Sequence, residues 1–424
     1  MGHQMQTPDS QNCTPEITLT RNTIHYGWVI VLLGAAGIFS GLGLGRFALG
    51  MLLPAMADSL HLNYEQMGTI STANFIGYFI GILFSAKLVR RFGARYIASC
   101  GLVLTGISMI FVACAQNWII LAFLYWFTGV GGAWANIAIM SLIAGWFAPT
   151  NRGRAAGFIV TGNGVAIVFS GQVIPILNSM TTLHWRLSWI VLAAIILFVG
   201  ALCLLFLRNS PQEKHLLPVG DQTESDTYPS QTFKNRPTLP LTLHTGLLYF
   251  VFGFTFVSYA TFIVTTMVEQ FAMSQITAGN FWSWVGILSL ASGPVSGYCS
   301  DRFSRRATLA VIFILQTFSY ALVGISASPV FLYFSIFCFG IVAWAVPSII
   351  VALCGDYAGP IHAVSMFSTV TLIFALGQGL GPYLFGVMAE ITGTFSNAYL
   401  LAAVMTAAAA IGCFMLPKTS TRIA

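Results

Sequence analysis

The chain has 424 residues, 57% hydrophobic and 7% charged, with a formal net charge of +6. A soluble domain carries roughly 25% charged residues, and 18 Lys plus Arg with 12 Asp plus Glu cannot keep so apolar a surface dispersed in water. A soluble globular protein is excluded, and so is a nucleic-acid binder, because the basic residues fall in short segments between apolar runs rather than in a patch.

Residues 1–27 are polar and contain Asp9 and Glu16, unlike the basic-then-apolar start of a cleaved signal; they read as a cytoplasmic tail. Twelve apolar runs then follow, at about 28–55, 66–88, 95–114, 118–146, 155–177, 187–207, 244–268, 280–300, 308–327, 330–353, 363–388 and 397–416. Each suits a helix crossing about 30 Å of hydrocarbon, and continuous rather than alternating hydrophobicity excludes a barrel. Runs 28–207 and 244–416 form two six-helix bundles, and 208–243, with Pro211, Pro218, Pro229, Pro237 and Pro240, reads as a flexible cytoplasmic linker. A second cytoplasmic tail occupies 417–424. With the N-terminus inside, 16 of the 18 Lys and Arg lie in cytoplasmic segments. The positive-inside rule therefore places both termini in the cytoplasm of a multi-pass plasma or inner-membrane protein.

The two halves echo each other. Arg90-Arg91-Phe92-Gly93-Ala94-Arg95 and Asp301-Arg302-Phe303-Ser304-Arg305-Arg306 are offset by 211, Ala133-Trp134-Ala135 and Ala343-Trp344-Ala345 by 210, and Gly171 and Gly381 by 210. Parallel repeats of this kind place a solute site between the halves near the bilayer midplane. The segment Gly297-Tyr298-Cys299-Ser300-Asp301-Arg302-Phe303-Ser304-Arg305-Arg306 resembles the G-x-x-x-D-R-x-G-R-R loop of the major facilitator superfamily. The run Gly45-Arg46-Phe47-Ala48-Leu49-Gly50 to Pro54, with Ser71 to Tyr78, is similar to a poorly characterised bacterial branch. Tyr26-Gly27-Trp28-Val29 and Trp146-Phe147 to Gly157 look more loosely like monocarboxylate-type porters. The resemblance implies an all-α membrane protein with twelve transmembrane helices in two pseudo-symmetric bundles. It also implies that helices 1, 4, 7 and 10 line the cavity, and that Asp301, Arg302 and Arg305, with Arg90 and Arg91 in a first copy lacking the Asp, form a clasp holding the halves closed at the cytoplasmic side.

Arg46 is the sharpest feature inside a span. A guanidinium there costs about 2.5–3.5 kcal/mol on insertion scales, and such residues face a cavity or a partner. It suits a bidentate grip on a carboxylate. From the outer half of helix 1 it can also snorkel outward or pair with Asp58 or Glu65, and both readings stay open. Asn74 and Tyr78, four apart, share a helix face. Trp134, Asn136, Asn163, Tyr259, Trp344 and Gln378 complete the expected solute-binding set. Each is equally compatible with interhelical packing or hydrogen bonding.

No Asp or Glu falls near the middle of a span, and Tyr125 stands four residues before Gly129, where the family carries an Arg. Both absences count against proton antiport through a buried carboxylate; Glu269 and His362 are the titrating groups left, and coupling to a proton stays open. No cofactor or metal is expected: the eight Cys have no metal-ligand spacing and read as small buried hydrophobes. A membrane enzyme finds no HExxH and no nucleophile constellation. The expected function is a monomeric secondary or facilitative transporter of a small solute, a small organic anion such as a monocarboxylate. An exporter of hydrophobic or amphipathic compounds is the alternative.

Overall fold

A computed structural model of the chain describes residues 25–180, 185–220, 237–325 and 328–417. Twelve long helices run back and forth: α1 Tyr26–Leu60, α2 Tyr64–Phe92, α3 Ala94–Cys114, α4 Trp118–Trp146, α5 Pro149–Met180, α6 Trp185–Phe206, α7 Leu239–Gln270, α8 Gln275–Arg302, α9 Arg305–Ile325, α10 Pro329–Gly359, α11 His362–Thr392 and α12 Ser396–Met415. The protein is an all-α membrane protein. Among the described residues eleven of these helices are long and apolar enough to cross a membrane on their own. The twelfth, α8, is diluted by buried serines that face its neighbours, among them Ser283, Ser289 and Ser292.

Local chemistry sets the helix ends. Asn63 caps α2 by accepting from the Gln66 amide at 2.8 Å while Gln66 accepts from the Asn63 amide at 3.2 Å, a reciprocal box that satisfies two end donors. Asn117 and Ser274 cap α4 and α8 in the same sense. Gly359, at φ 64°, turns α10 into α11 where a side chain would be strained. Most helices extend several residues beyond the apolar runs. α1 spans Tyr26–Leu60 rather than 28–55, because polar end turns stay helical outside the hydrocarbon. Arg46 thus lies about three residues, roughly 4.5 Å, from its midpoint.

The lateral surface is apolar: Leu32, Phe123 and Ile411 are each more than 60% exposed. This corrects the reading of the cysteines. Cys203, Cys354 and Cys413 are buried, but Cys100 and Cys114 are exposed; Cys13 falls outside the described residues. The chain after α6 is not uniformly loose either. Val219 exchanges hydrogen bonds with Trp146 and Ala148, 2.9 and 3.0 Å, and the Tyr26 hydroxyl donates to the Phe206 carbonyl at 2.6 Å. These contacts strap residues 206–220 across one end of the first bundle. Arg90, Arg91, Arg152, Arg208 and Arg305 share this basic end.

The pseudo-twofold relation is visible in contacts. Gly171 on α5 packs against the Gly279 carbonyl of α8, and Gly68 on α2 packs against the Pro382 carbonyl of α11; shifting either pair by 210 to 211 residues gives the other within one residue. Gly50 of α1 and Ala260 of α7 are themselves 210 apart, and a Cβ on Gly50 would lie 2.6 Å from the Ala260 carbonyl oxygen. Pseudo-twofold-related residues that touch mark the axis.

The bundles meet away from the basic end and part towards it. Gly171 and Gly164 on α5 pack against Gly279 and Gly286 on α8, but one heptad further, Gly157 and Gly293 have nothing within 4 Å of a Cβ position. α2 and α11 behave alike. Thr72 donates to the Gly379 carbonyl at 2.8 Å, while Ile76 on one helix and Leu376 on the other are exposed. A cleft therefore opens at the basic end and closes near mid-depth.

Candidate substrate site at the head of the cleft

Two backbone irregularities meet where the cleft closes. α1 widens into a π segment over Phe39–Phe47, and α10 breaks at Ala343–Trp344, with Trp344 at φ −111°, ψ 12°. Irregular backbone at membrane depth is tolerated only inside protein or along a cavity, and π segments recur at functional sites. Phe47 and Trp344 touch edge to face, ring centroids 5.6 Å apart, and the amide freed at the break donates to Ser292 Oγ at 2.9 Å.

Arg46 is the penultimate residue of the π segment. Its guanidinium lies between two α2 rings, 4.3 Å from the Phe75 centroid and 4.2 Å from that of Tyr78, a desolvated cation–π sandwich. A closed ring of hydrogen bonds braces it. Arg46 Nε donates to Asn74 Oδ1 (3.3 Å), Asn74 Nδ2 donates to the Tyr125 carbonyl (3.2 Å), and the Tyr125 hydroxyl donates to the Arg46 carbonyl (3.2 Å). Neither Asp58 nor Glu65 reaches it: the ion pairs among the described residues both belong to Arg305. Arg46 Nη2 is buried with no partner, beside a cavity of about 10 Å³ lined by Gly50, Ser71, Asn74, Ala260 and Thr261, room for one water.

Of the expected residues, Asn74, Tyr78 and Asn136 join Arg46. Asn136 Nδ2 donates to the Tyr78 hydroxyl at 2.7 Å, which leaves the Tyr78 proton free for another acceptor. Trp344 lies opposite. Asn163 on α5 is buried with Oδ1 unpartnered, and Gln378 on α11 is half-buried.

Two expected lining aromatics lie elsewhere. Tyr259 is enclosed in the second bundle, stacked on Phe339 and 2.9 Å from Ser335 Oγ. Trp134 fills a lateral groove with Ile80, Phe84 and Trp126. Trp134 and Trp344 share a motif, but α4 runs unbroken through its Trp while α10 breaks there, so the rings take different directions. Tyr125, read only as a missing Arg, turns out to hold Arg46.

The expected clasp is also rearranged. Arg305 bonds Asp301 Oδ1 at 2.8 Å, Ser300 Oγ at 3.1 Å and Asp356, and Arg302 donates to the Tyr298 hydroxyl. These partners all belong to the second bundle, joining α8, α9 and α10; they do not bridge the halves, which are apart at this end. Arg90 and Arg91 are exposed, with Arg91 5.3 Å from the Phe92 ring centroid.

A family model described as "Uncharacterised MFS-type transporter YbfB" matches residues 38–413. The chain belongs to this family. As an MFS-type transporter, and not an enzyme, it is 25% identical over 402 residues to the hexuronate transporter of Bacillus subtilis (strain 168), covering 88% of this chain and 90% of that protein. It is also 25% identical over 381 residues to the phosphoglycerate transporter protein of Salmonella typhimurium, covering 82% and 80%. A bacterial homologue of the human lysosomal transporter Spinster, in an inward-facing and unoccupied conformation, shares the fold with TM-score 0.70 at 15% identity, over 93% of this chain and 96% of that one.

Proposed function

We propose that this MFS-type transporter carries a small organic anion, with a monocarboxylate as the best fit, by alternating access, and that Arg46 is its anchor. One observation carries the reading. At mid-depth stands an Arg with no acid partner among the described residues, one guanidinium nitrogen unpartnered, and its pose held by three helices. Such a cation is costly in a membrane unless something anionic visits it. A carboxylate reaching Nη2 completes its hydrogen bonding, and the free Tyr78 proton supplies a second donor. Of the two relatives above, the hexuronate transporter is named for a carboxylate on a sugar body, which supports the class, whereas the other is named for a phosphate ester.

The basic end is the cytoplasmic end by the positive-inside rule, so the cleft faces inward in the inner or plasma membrane. Sealing that side in the opposite state falls to Arg90, Arg91 and the Asp301–Arg302–Arg305 cluster. An acid can bring its own proton, so coupling needs no buried carboxylate. The aromatic lining of the second bundle favours a second reading, export of amphipathic compounds.

The test is binding and flux with purified full-length protein. Organic monocarboxylates are expected to raise the melting temperature of the wild type and not of Arg46→Ala, and to exchange across proteoliposomes. Equal stabilisation of both proteins removes Arg46 as the anchor. Dye efflux without carboxylate flux selects the exporter.

A further inference from the structure

The on-axis pair Gly50 and Ala260 sets the register of the two walls. Four residues, about 6 Å, towards the cleft from Gly50 stands Arg46; four residues from Ala260 stands Phe256. The two are 210 residues apart and so occupy equivalent positions on opposite bundles. The second-bundle residues lining the cavity beside Arg46 are Val257, Ala260 and Thr261, so this wall carries no second cation. Behind it the buried Phe256 is stacked on Phe339 at a centroid distance of 5.1 Å and lies against Trp344 at 5.4 Å. Trp344 in turn reaches across the axis to Phe47, the neighbour of Arg46. It is half-buried, so part of its ring remains available at the head of the cleft.

Building on the anion reading above, we infer that the site takes a singly charged acid carried on a ring or other body with an apolar face. The carboxylate sits on Arg46 and Tyr78, the body against Trp344, and phosphate esters are refused. Charge decides the refusal. A phosphate ester carries close to two negative charges at neutral pH, and the site offers one guanidinium; the second charge would be desolvated against Val257 and Trp344 with no partner, which is strongly unfavourable. Shape decides the preference. An aromatic face gains area and dispersion from the C–H face of a sugar ring or from another ring, and gains little from a short-chain acid. Trp344 is thus the specificity-determining residue, and the break in α10 is the device that turns it to the cleft.

The experiment measures affinities for matched pairs on the full-length protein by isothermal titration: glucuronate against glucose 6-phosphate, benzoate against phenyl phosphate, and acetate as the acid without a face. The expected result is at least tenfold tighter binding of each ring acid than of its phosphate counterpart and than of acetate. Trp344→Ala is expected to erase the advantage of the ring acids over acetate, the ring acids losing at least tenfold more affinity than acetate does; Trp344→Phe retains most of it. Phosphate counterparts that bind as tightly as the acids overturn the inference, as does a ring preference that survives Trp344→Ala or the failure of every ring acid to bind. The wild-type comparison stands even where a variant does not fold. Arg46→Ala separates the two claims: anions that still bind it defeat the anchor, whereas anions lost on Arg46→Ala but indifferent to body and charge defeat only the ring-acid specificity.

Discussion

The backbone amide of Tyr64, in the first turn of α2, donates to the Glu390 carboxylate at the far end of α11, 3.0 Å away across the two bundles. A carboxylate at a helix N-terminus meets both an unsatisfied amide and the positive end of the helix dipole. Because α2 and α11 belong to different halves, this bond exists only while the end opposite the cleft is shut. Glu390→Gln keeps an acceptor but removes the charge, worth about 0.3–1 kcal/mol. The closed state should lose population by roughly two- to fivefold. Hydrogen exchange over residues 64–72 is expected to accelerate by that factor; unchanged exchange would show that the contact does not latch.

Gly171 and Gly157 lie on one face of α5 in opposite circumstances. A Cβ on Gly171 would stand 2.5 Å from the Gly279 carbonyl oxygen, whereas at Gly157 nothing lies within 4 Å. Gly171→Val should cost about 1–3 kcal/mol through overpacking and suppress transport. Gly157→Val should stay within about 0.5 kcal/mol. Thermal unfolding in detergent reads the difference, and equal effects would deny the seam.

The hydrogen-bond ring around Arg46 has links of unequal weight. Asn74→Ala leaves the Nε donor buried without its acceptor, a loss of about 1–3 kcal/mol, while Tyr125→Phe removes one bond worth about 0.5–1.5 kcal/mol. Both variants should bind anions more weakly than wild type, Asn74→Ala the more so. Titration of a ring acid against each variant checks the order, and the reverse order would relocate the brace.

Of the two acids that Arg305 binds, Asp301 is 69% exposed and Asp356 34%, so each pair is at least partly solvated and worth about 0–1 kcal/mol. Arg305→Ala is expected to shift the melting temperature by only a few degrees while slowing flux in proteoliposomes. An unfolded variant would show a structural role, and unchanged flux would remove the cluster from gating.

Class, span count and repeat are legible in the order of the amino acids. Hydrocarbon thickness and backbone satisfaction translate directly into apolar runs about 20 residues long, and the offsets of 210 and 211 residues need no coordinates to be seen. Arg46, Asn74 and Tyr78 were legible for the same reason: polar groups in spans stand out against an apolar background, and i, i+4 spacing puts two of them on one face.

Which aromatic faces the cleft is settled by packing between helices. Ala133-Trp134-Ala135 and Ala343-Trp344-Ala345 are the same three letters, yet one ring lies in a lateral groove and the other against Phe47. The difference is a helix break at Ala343–Trp344 held by Ser292, a contact between segments about fifty residues apart in the chain that no local pattern encodes. The π segment around Arg46 and the bracing role of Tyr125 were hidden in the same way. Periodicity reports which residues can share a face, while the direction of that face is set by the helices packed against it.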